Sequence, residues 1–209
     1  MSDSTSTRTD KAVPVVRLAE IPGLARELAG RVKASRFDAE AVVYIETGAR
    51  LMAHEVAREL SVELTPMWVR RGGSGLKQKV APLVARMPVW MRDGLRKLEE
   101  RSGVHRHTGR VAALAAGASF EGKRVLLLDD AADTGRTIAI ARELLLGEGG
   151  AAEVKAAVLA ATTPAGRREV DFFLLEKNSR MPWSSDSDER VAAERRMEEL
   201  RPRHAPRDL

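Results

Sequence analysis

The stretch Val125-Leu126-Leu127-Leu128-Asp129-Asp130-Ala131-Ala132-Asp133-Thr134-Gly135-Arg136-Thr137 decides the fold. An apolar run of strand type ends in two adjacent acids, Asp129 and Asp130. A short turn with a third acid, Asp133, then leads into 138–146, which reads as a helix. Strand, polar turn and helix in that order make half of a βαβ unit. The turn sits at the carboxyl end of its strand, where open α/β sheets place their ligands. It also opens a helix, whose free N–H groups and positive dipole end favour a phosphate.

Outward from this stretch the pattern recurs. Ala41-Val42-Val43-Tyr44-Ile45 is a buried-strand run, Glu46-Thr47-Gly48-Ala49-Arg50 a turn, and 51–60 a helix with Met52, Val56 and Leu60 on one face. Further strands are expected at 64–69, 154–161 and 170–175, with a short β-type run at 13–18. Residues 21–32 have helical spacing, with Pro22 tolerated in the first turn. Gly147, Gly149 and Gly150 end the helix after the acidic turn, and 188–200 is a charged amphipathic helix. Four or five strands alternating with helices predict an α/β fold: a mostly parallel sheet covered on both faces.

One domain is expected over 13–200, flanked by a disordered tail at 1–12 and a Pro/Arg tail at 201–209. Within it, about 71–112 is set apart as an insert or flexible loop. Arg71-Gly72-Gly73-Ser74-Gly75 marks a break, and seven arginines and lysines between 86 and 110 make the rest basic.

The net charge is +5 and the pI is near 9.9, a balance that suits anionic small molecules, nucleic acid or a membrane surface and decides among none of them. The absence of cysteine excludes disulfides, thiolate zinc sites and a cysteine nucleophile. No signal peptide and no long uncharged apolar run are visible, so a soluble cytoplasmic protein without membrane contact is expected.

The chemistry concentrates in 129–137. Adjacent residues at a strand end point to opposite sides, so Asp129 and Asp130 need not share one role. Carboxylates suit sugar hydroxyls or a hydrated magnesium ion. Asp133-Thr134-Gly135-Arg136-Thr137 offers consecutive N–H groups, two hydroxyls and a helix start, a cradle for a phosphate monoester. Acids followed by a phosphate cradle fit a phosphorylated ribose lying across the loop. The bland alternative is a structural turn whose acids cap the helix.

This stretch closely resembles the PRPP-binding signature of type I phosphoribosyltransferases: apolar residues, two acids, two small or apolar residues, then Asp-Thr-Gly-x-Thr. Thr163-Pro164-Ala165-Gly166-Arg167, Val170-Asp171-Phe172-Phe173 and Pro182-Trp183 resemble the xanthine–guanine, purine-salvage branch in order and approximate spacing. The likeness spans roughly 41–60 and 125–183, not 70–124. It implies a type I phosphoribosyltransferase-like core with a helical insert and a small hood over about 163–187. The implied reaction is Mg²⁺-dependent transfer of 5-phosphoribosyl from PRPP to a nitrogenous base or related small-molecule acceptor, with release of pyrophosphate. By the same resemblance Asp129 and Asp130 hold the ribose and metal, and Asp133 is the catalytic base. The 5′-phosphate falls to Asp133, Thr134, Gly135, Arg136 and Thr137. Glu46, Thr47, Gly48, Ala49 and Arg50 would bind pyrophosphate, and Thr163, Pro182 and Trp183 belong to the base side. A homo-oligomer, a dimer, is expected.

Several positions depart from the family pattern. The pyrophosphate turn keeps one glycine of the common Arg-Gly-Gly and moves the arginine to 50. Thr163 stands where the purine enzymes carry a lysine that contacts the purine oxygen, and Asn178 where an aromatic stacks on the base. Three readings of the insert stay open: residues 72–79, with Lys77 or Lys79, form a lid over PRPP; 90–110, with His105 and His107, binds an unusual acidic acceptor; or the segment is an amphipathic helix whose apolar face packs on the body or a second subunit. A non-catalytic PRPP- or nucleotide-sensing regulator of the same fold is the alternative function. Nucleic-acid binding is not favoured, because Asp93, Glu99 and Glu100 dilute the basic insert.

Overall fold

Alternation within the apolar runs sets the two faces of a sheet. In the computed structural model, which describes residues 13–46, 48–71 and 110–201, that sheet has six strands in the order β3-β2-β1-β4-β5-β6. They are β1 (Ala41–Glu46), β2 (Glu63–Arg71), β3 (Arg110–Leu114), β4 (Arg124–Ala132), β5 (Glu153–Ala161) and β6 (Phe172–Leu175). All neighbours are parallel except β2 and β3. Val42, Tyr44, Leu126, Leu128, Ala157 and Leu159 face α1 (Ile21–Ala34) and α2 (Arg50–Leu60). Val43, Ile45, Val125, Leu127 and Val158 face α3 (Arg136–Leu146). The central strands are buried on both faces, which is why they read as continuous apolar runs.

Chain direction within the sheet positions the site. From β1 the chain passes through α2 to β2 on one side; from β4 it passes through α3 to β5 on the other. The strand order therefore reverses between β1 and β4, the switch point at which such sheets bind ligands. The β1–β4 pairing runs from Ala41↔Val125 to Tyr44↔Leu128 and stops there, although both strands continue. A crevice opens beyond Leu128, and its two walls are the turns after β1 and β4.

The sheet has one strand more than expected. The extra strand, β3, lies in a segment assigned largely to the insert; two alanines in Arg110-Val111-Ala112-Ala113-Leu114 leave too little apolar pattern to show a strand. The run at 13–18 forms a single bridge, Val15↔Arg180, rather than a strand. Glu20 accepts the Arg17 backbone N–H at 2.6 Å and a 3₁₀ turn (Leu18–Glu20) begins at once, so no length remains to extend the pairing. The Pro-Ala-Gly turn is a short helix, α4 (Pro164–Arg168), with Thr163 as N-cap and Pro in its first turn. The expected C-terminal helix is α5 (Arg190–Glu199). Residues 1–12, 47, 72–109 and 202–209 lie outside the described residues, and with them the expectations for the tail at 1–12, Thr47, the lid with Lys77 and Lys79, and His105 and His107.

Candidate active site

Asp129 and Asp130 follow the last residue of β4 that pairs with β1, while β4 stays paired with β5 through Ala132, and they point to opposite sides as adjacent strand residues must. Asp129 is buried at 8% exposure, and its Oδ1 accepts the Asp130 backbone N–H at 2.9 Å. Asp130 is half-buried and points across the crevice. Its Oδ2 accepts the indole N–H of Trp183 at 2.8 Å. A Cβ built on Gly48 would lie 2.2 Å from that same oxygen, so only glycine leaves room for the Asp130 carboxylate. The turn after β1, Asp130 on β4 and the Pro182-Trp183 segment thus meet at one point.

The turn 133–137 follows. Asp133 and Thr134 are exposed, and Gly135 takes φ +72°, a left-handed conformation that glycine adopts without strain. This bend starts α3, with Gly135 as N-cap and Arg136 as its first residue. The N–H groups of the first turn and the positive end of the helix dipole therefore lie beside Asp133 and Thr134.

A second segment fastens this turn from behind. The Thr162 hydroxyl donates to Asp133 Oδ1 at 2.9 Å and the Thr162 N–H to the Ala132 carbonyl at 3.0 Å. The Thr163 hydroxyl donates to the Asp133 carbonyl at 2.5 Å and accepts the Gly166 N–H at 3.1 Å. Gly166 packs directly on the turn: a Cβ there would come within 2.2 Å of the Ala132 carbonyl. The Glu169 side chain covers Gly135, where a Cβ would meet Glu169 Cγ at 2.3 Å.

The turn at 46–50 is built differently from the expectation for pyrophosphate. Arg50 and Glu46 form a buried pair at 2.5 Å, with side chains 8% and 3% exposed. Arg50 also donates to the Met197 carbonyl at 2.6 Å, and the Tyr44 hydroxyl donates to Glu46 Oε1 at 2.8 Å. Burial lowers the proton affinity of the Arg50 guanidinium, Glu46 more than offsets this, and the net effect is upward. Burial and the bond to Glu46 push the Tyr44 hydroxyl well above its ordinary value. Both charged side chains of the turn therefore face inward, Ala49 is fully buried in the core, and Gly48 is partly exposed. Arg50 is committed to Glu46 and α5 rather than to the crevice.

A family model described as "Phosphoribosyl transferase domain" matches residues 17–189. The chain belongs to this phosphoribosyltransferase family. Among curated proteins none matches the sequence. Solved structures do. The purine phosphoribosyltransferase from Pyrococcus horikoshii Ot3 is 18% identical, with TM-score 0.57, over 82% of this chain and 94% of that one. A hypothetical protein from Neisseria gonorrhoeae with bound ppGpp is 14% identical, with TM-score 0.55, over 90% and 97%. The Helicobacter pylori xanthine–guanine–hypoxanthine phosphoribosyltransferase is 13% identical, with TM-score 0.54, over 83% and 94%. At these identities the likeness is one of fold.

On this phosphoribosyltransferase frame, Asp129, Asp130, Asp133, Thr134, Gly135 and Gly48 gather at the crevice. Thr163 instead spends its hydroxyl on the acidic turn, Pro182 is buried, and Trp183 reaches Asp130. Asn178 is exposed. Sequence reasoning missed Thr162 and Glu169. Thr162 precedes a Thr-Pro N-cap, a signal for the helix start but not for a bond to Asp133. Nothing in the sequence marks Glu169.

Proposed function

We propose that this phosphoribosyltransferase transfers the 5-phosphoribosyl group of PRPP to a nitrogenous base or related acceptor, releasing pyrophosphate. One observation carries the reading: the acid pair and the glycine-bent helix start lie side by side at the sheet's switch point. Thr134, Gly135, Arg136 and Thr137 grip the 5′-phosphate through N–H groups, hydroxyls and the helix dipole. Asp129 and Asp130 hold the ribose hydroxyls. The bond from the anomeric carbon to the pyrophosphate oxygen breaks as the acceptor nitrogen bonds to that carbon, through a transition state resembling an oxocarbenium ion. Asp133 takes the proton that the nitrogen loses. Its Oδ1 is oriented by Thr162, and its exposure leaves it accessible to an acceptor.

Asp129 and Asp130 are also the residues suited to Mg²⁺. Among the described residues no three acids or histidines converge, and Mg²⁺ is ordinarily held by one or two carboxylates together with substrate phosphates. When bound, the ion neutralises charge on the departing pyrophosphate. Because Arg50 faces inward, the turn at 46–50 contributes backbone N–H groups rather than a cation. Among the described residues no helix is long and apolar enough to cross a membrane. A cytoplasmic dimer acting in purine salvage, or on another acceptor, is the setting the family favours.

A PRPP- or nucleotide-sensing regulator is the second reading. The exposed Asn178 and the internally bonded Thr163 favour it, since neither is placed like a stacking or base-reading side chain. Incubation with PRPP, Mg²⁺ and a panel of purine and pyrimidine bases separates the two. Pyrophosphate release with at least one acceptor supports transfer; tight PRPP binding with no turnover on any acceptor would leave the regulator.

A further inference from the structure

Gly48, Asp130 and Trp183 come from three distant parts of the chain and meet through a single atom. Asp130 Oδ2 accepts the Trp183 indole N–H at 2.8 Å. A Cβ on Gly48 would lie 2.2 Å from this oxygen and 3.2 Å from the indole nitrogen. Asp130 Oδ1 takes no hydrogen bond among the described residues. The carboxylate is therefore held by one oxygen, with the other turned loose at the crevice. Trp183 is itself anchored: Pro182 before it is buried, and the Met181 N–H donates to the Ser184 hydroxyl at 3.1 Å, closing the turn around it. The same segment is tied to the amino-terminal chain by the Arg180 N–H to the Pro14 carbonyl at 2.8 Å.

An indole N–H is donor only, so it can satisfy a carboxylate oxygen but cannot accept a hydrogen bond. Bonds to an ionised acceptor are about twice as strong as neutral ones. Held beside Gly48 by Oδ2, the carboxylate keeps Oδ1 as the atom left for a ligand. We propose that Trp183 is a positioning residue for Asp130, acting on the sugar-phosphate donor rather than on the acceptor base. This rests on the reading of Asp129–Thr137 as the donor site. It assigns the Pro182-Trp183 segment a role in the donor half of the reaction, and it couples that segment to donor binding.

The test uses the full chain and measures PRPP binding directly, by calorimetry with Mg²⁺ and no acceptor. Trp183→Phe keeps the ring and removes the N–H; Trp183→His restores a ring donor. The expected result is a loss of PRPP affinity of roughly ten- to a hundredfold in Trp183→Phe, the range for a bond to a charged group, with partial recovery in Trp183→His. Equal affinity in wild type and Trp183→Phe overturns the proposal, as does equal loss in both variants. A second measurement does not need the donor. In a protein whose other tryptophans, Trp68 and Trp90, are replaced by Phe, Trp183 emission should shift when Asp130→Asn is introduced. An emission indifferent to Asp130→Asn also overturns the proposal. A wild-type protein that binds no PRPP, yet shows the Asp130-dependent shift, overturns the donor-directed role and the donor-site reading together, leaving only a structural bond.

Discussion

Asp133 is held from two sides. Its Oδ1 takes the Thr162 hydroxyl at 2.9 Å and its carbonyl the Thr163 hydroxyl, while the side chain as a whole stays exposed. A carboxylate so fixed suits proton transfer, which helps the transition state more than the bound donor. Asp133→Asn should therefore cut the rate of transfer by about 10²–10⁴-fold while leaving PRPP affinity within about tenfold. Steady-state rates set beside calorimetric binding check this; a parallel loss of both would make Asp133 a binding group instead. Gly166 shows the same precision from the packing side. With the Ala132 carbonyl 2.2 Å from a new Cβ, Gly166→Ala must push α4 off the acidic turn. The expected cost is about 1–3 kcal/mol in denaturant unfolding, with weakened PRPP binding.

At the scale of elements, α2 and α5 are joined through the buried Glu46–Arg50 pair and the bond from Arg50 to the Met197 carbonyl. Removing one partner of such a pair leaves a buried charge unmatched. Arg50→Met should therefore destabilise the protein by about 3–5 kcal/mol, read from urea unfolding. A loss under about 1 kcal/mol would show that the pair is solvated. Strands and helices around the site were legible in the sequence because the parallel core needs unbroken apolar runs, as in 41–45 and 125–128. The acidic turn was legible because helix-start chemistry and acids occupy consecutive positions. The direction of Arg50 was not. A turn with one arginine reads as an anion site, and only the packing of α5 reveals that the guanidinium has an internal acid and a helix carbonyl to satisfy. Trp183 was likewise read toward the base, because its bond to Asp130 spans 53 residues and leaves no local pattern. The edge strand β3 was hidden by its alanines.

At the scale of the whole molecule, the carboxyl-terminal chain closes over α2. His54 on α2 lies beside Tyr44, its ring centroid 6.4 Å away, and bonds near the end of α5 at the Leu200 backbone. Burial lowers its proton affinity below the ordinary 6.5, and the Leu200 bond only partly opposes this. The unfolded chain then binds a proton more readily than the folded one. Stability from this group is fully present above pH 6.5 and declines as pH falls from there toward the lowered folded value. His54→Gln should flatten the pH dependence of unfolding free energy below neutrality; an unchanged slope would remove His54 from the account. The larger arrangement is the two-sided one. Strand order reverses between β1 and β4, and the acidic turn and the glycine turn meet there through Asp130 and Gly48. The most direct test of that account is PRPP binding in the presence of Mg²⁺, by calorimetry, to the wild type and to the Asp129→Asn/Asp130→Asn double variant. Saturable binding by the wild type, weakened at least about a hundredfold in the variant as two charge-assisted contacts are lost, is the predicted result. Binding of equal strength in both proteins, or none in the wild type, would contradict it.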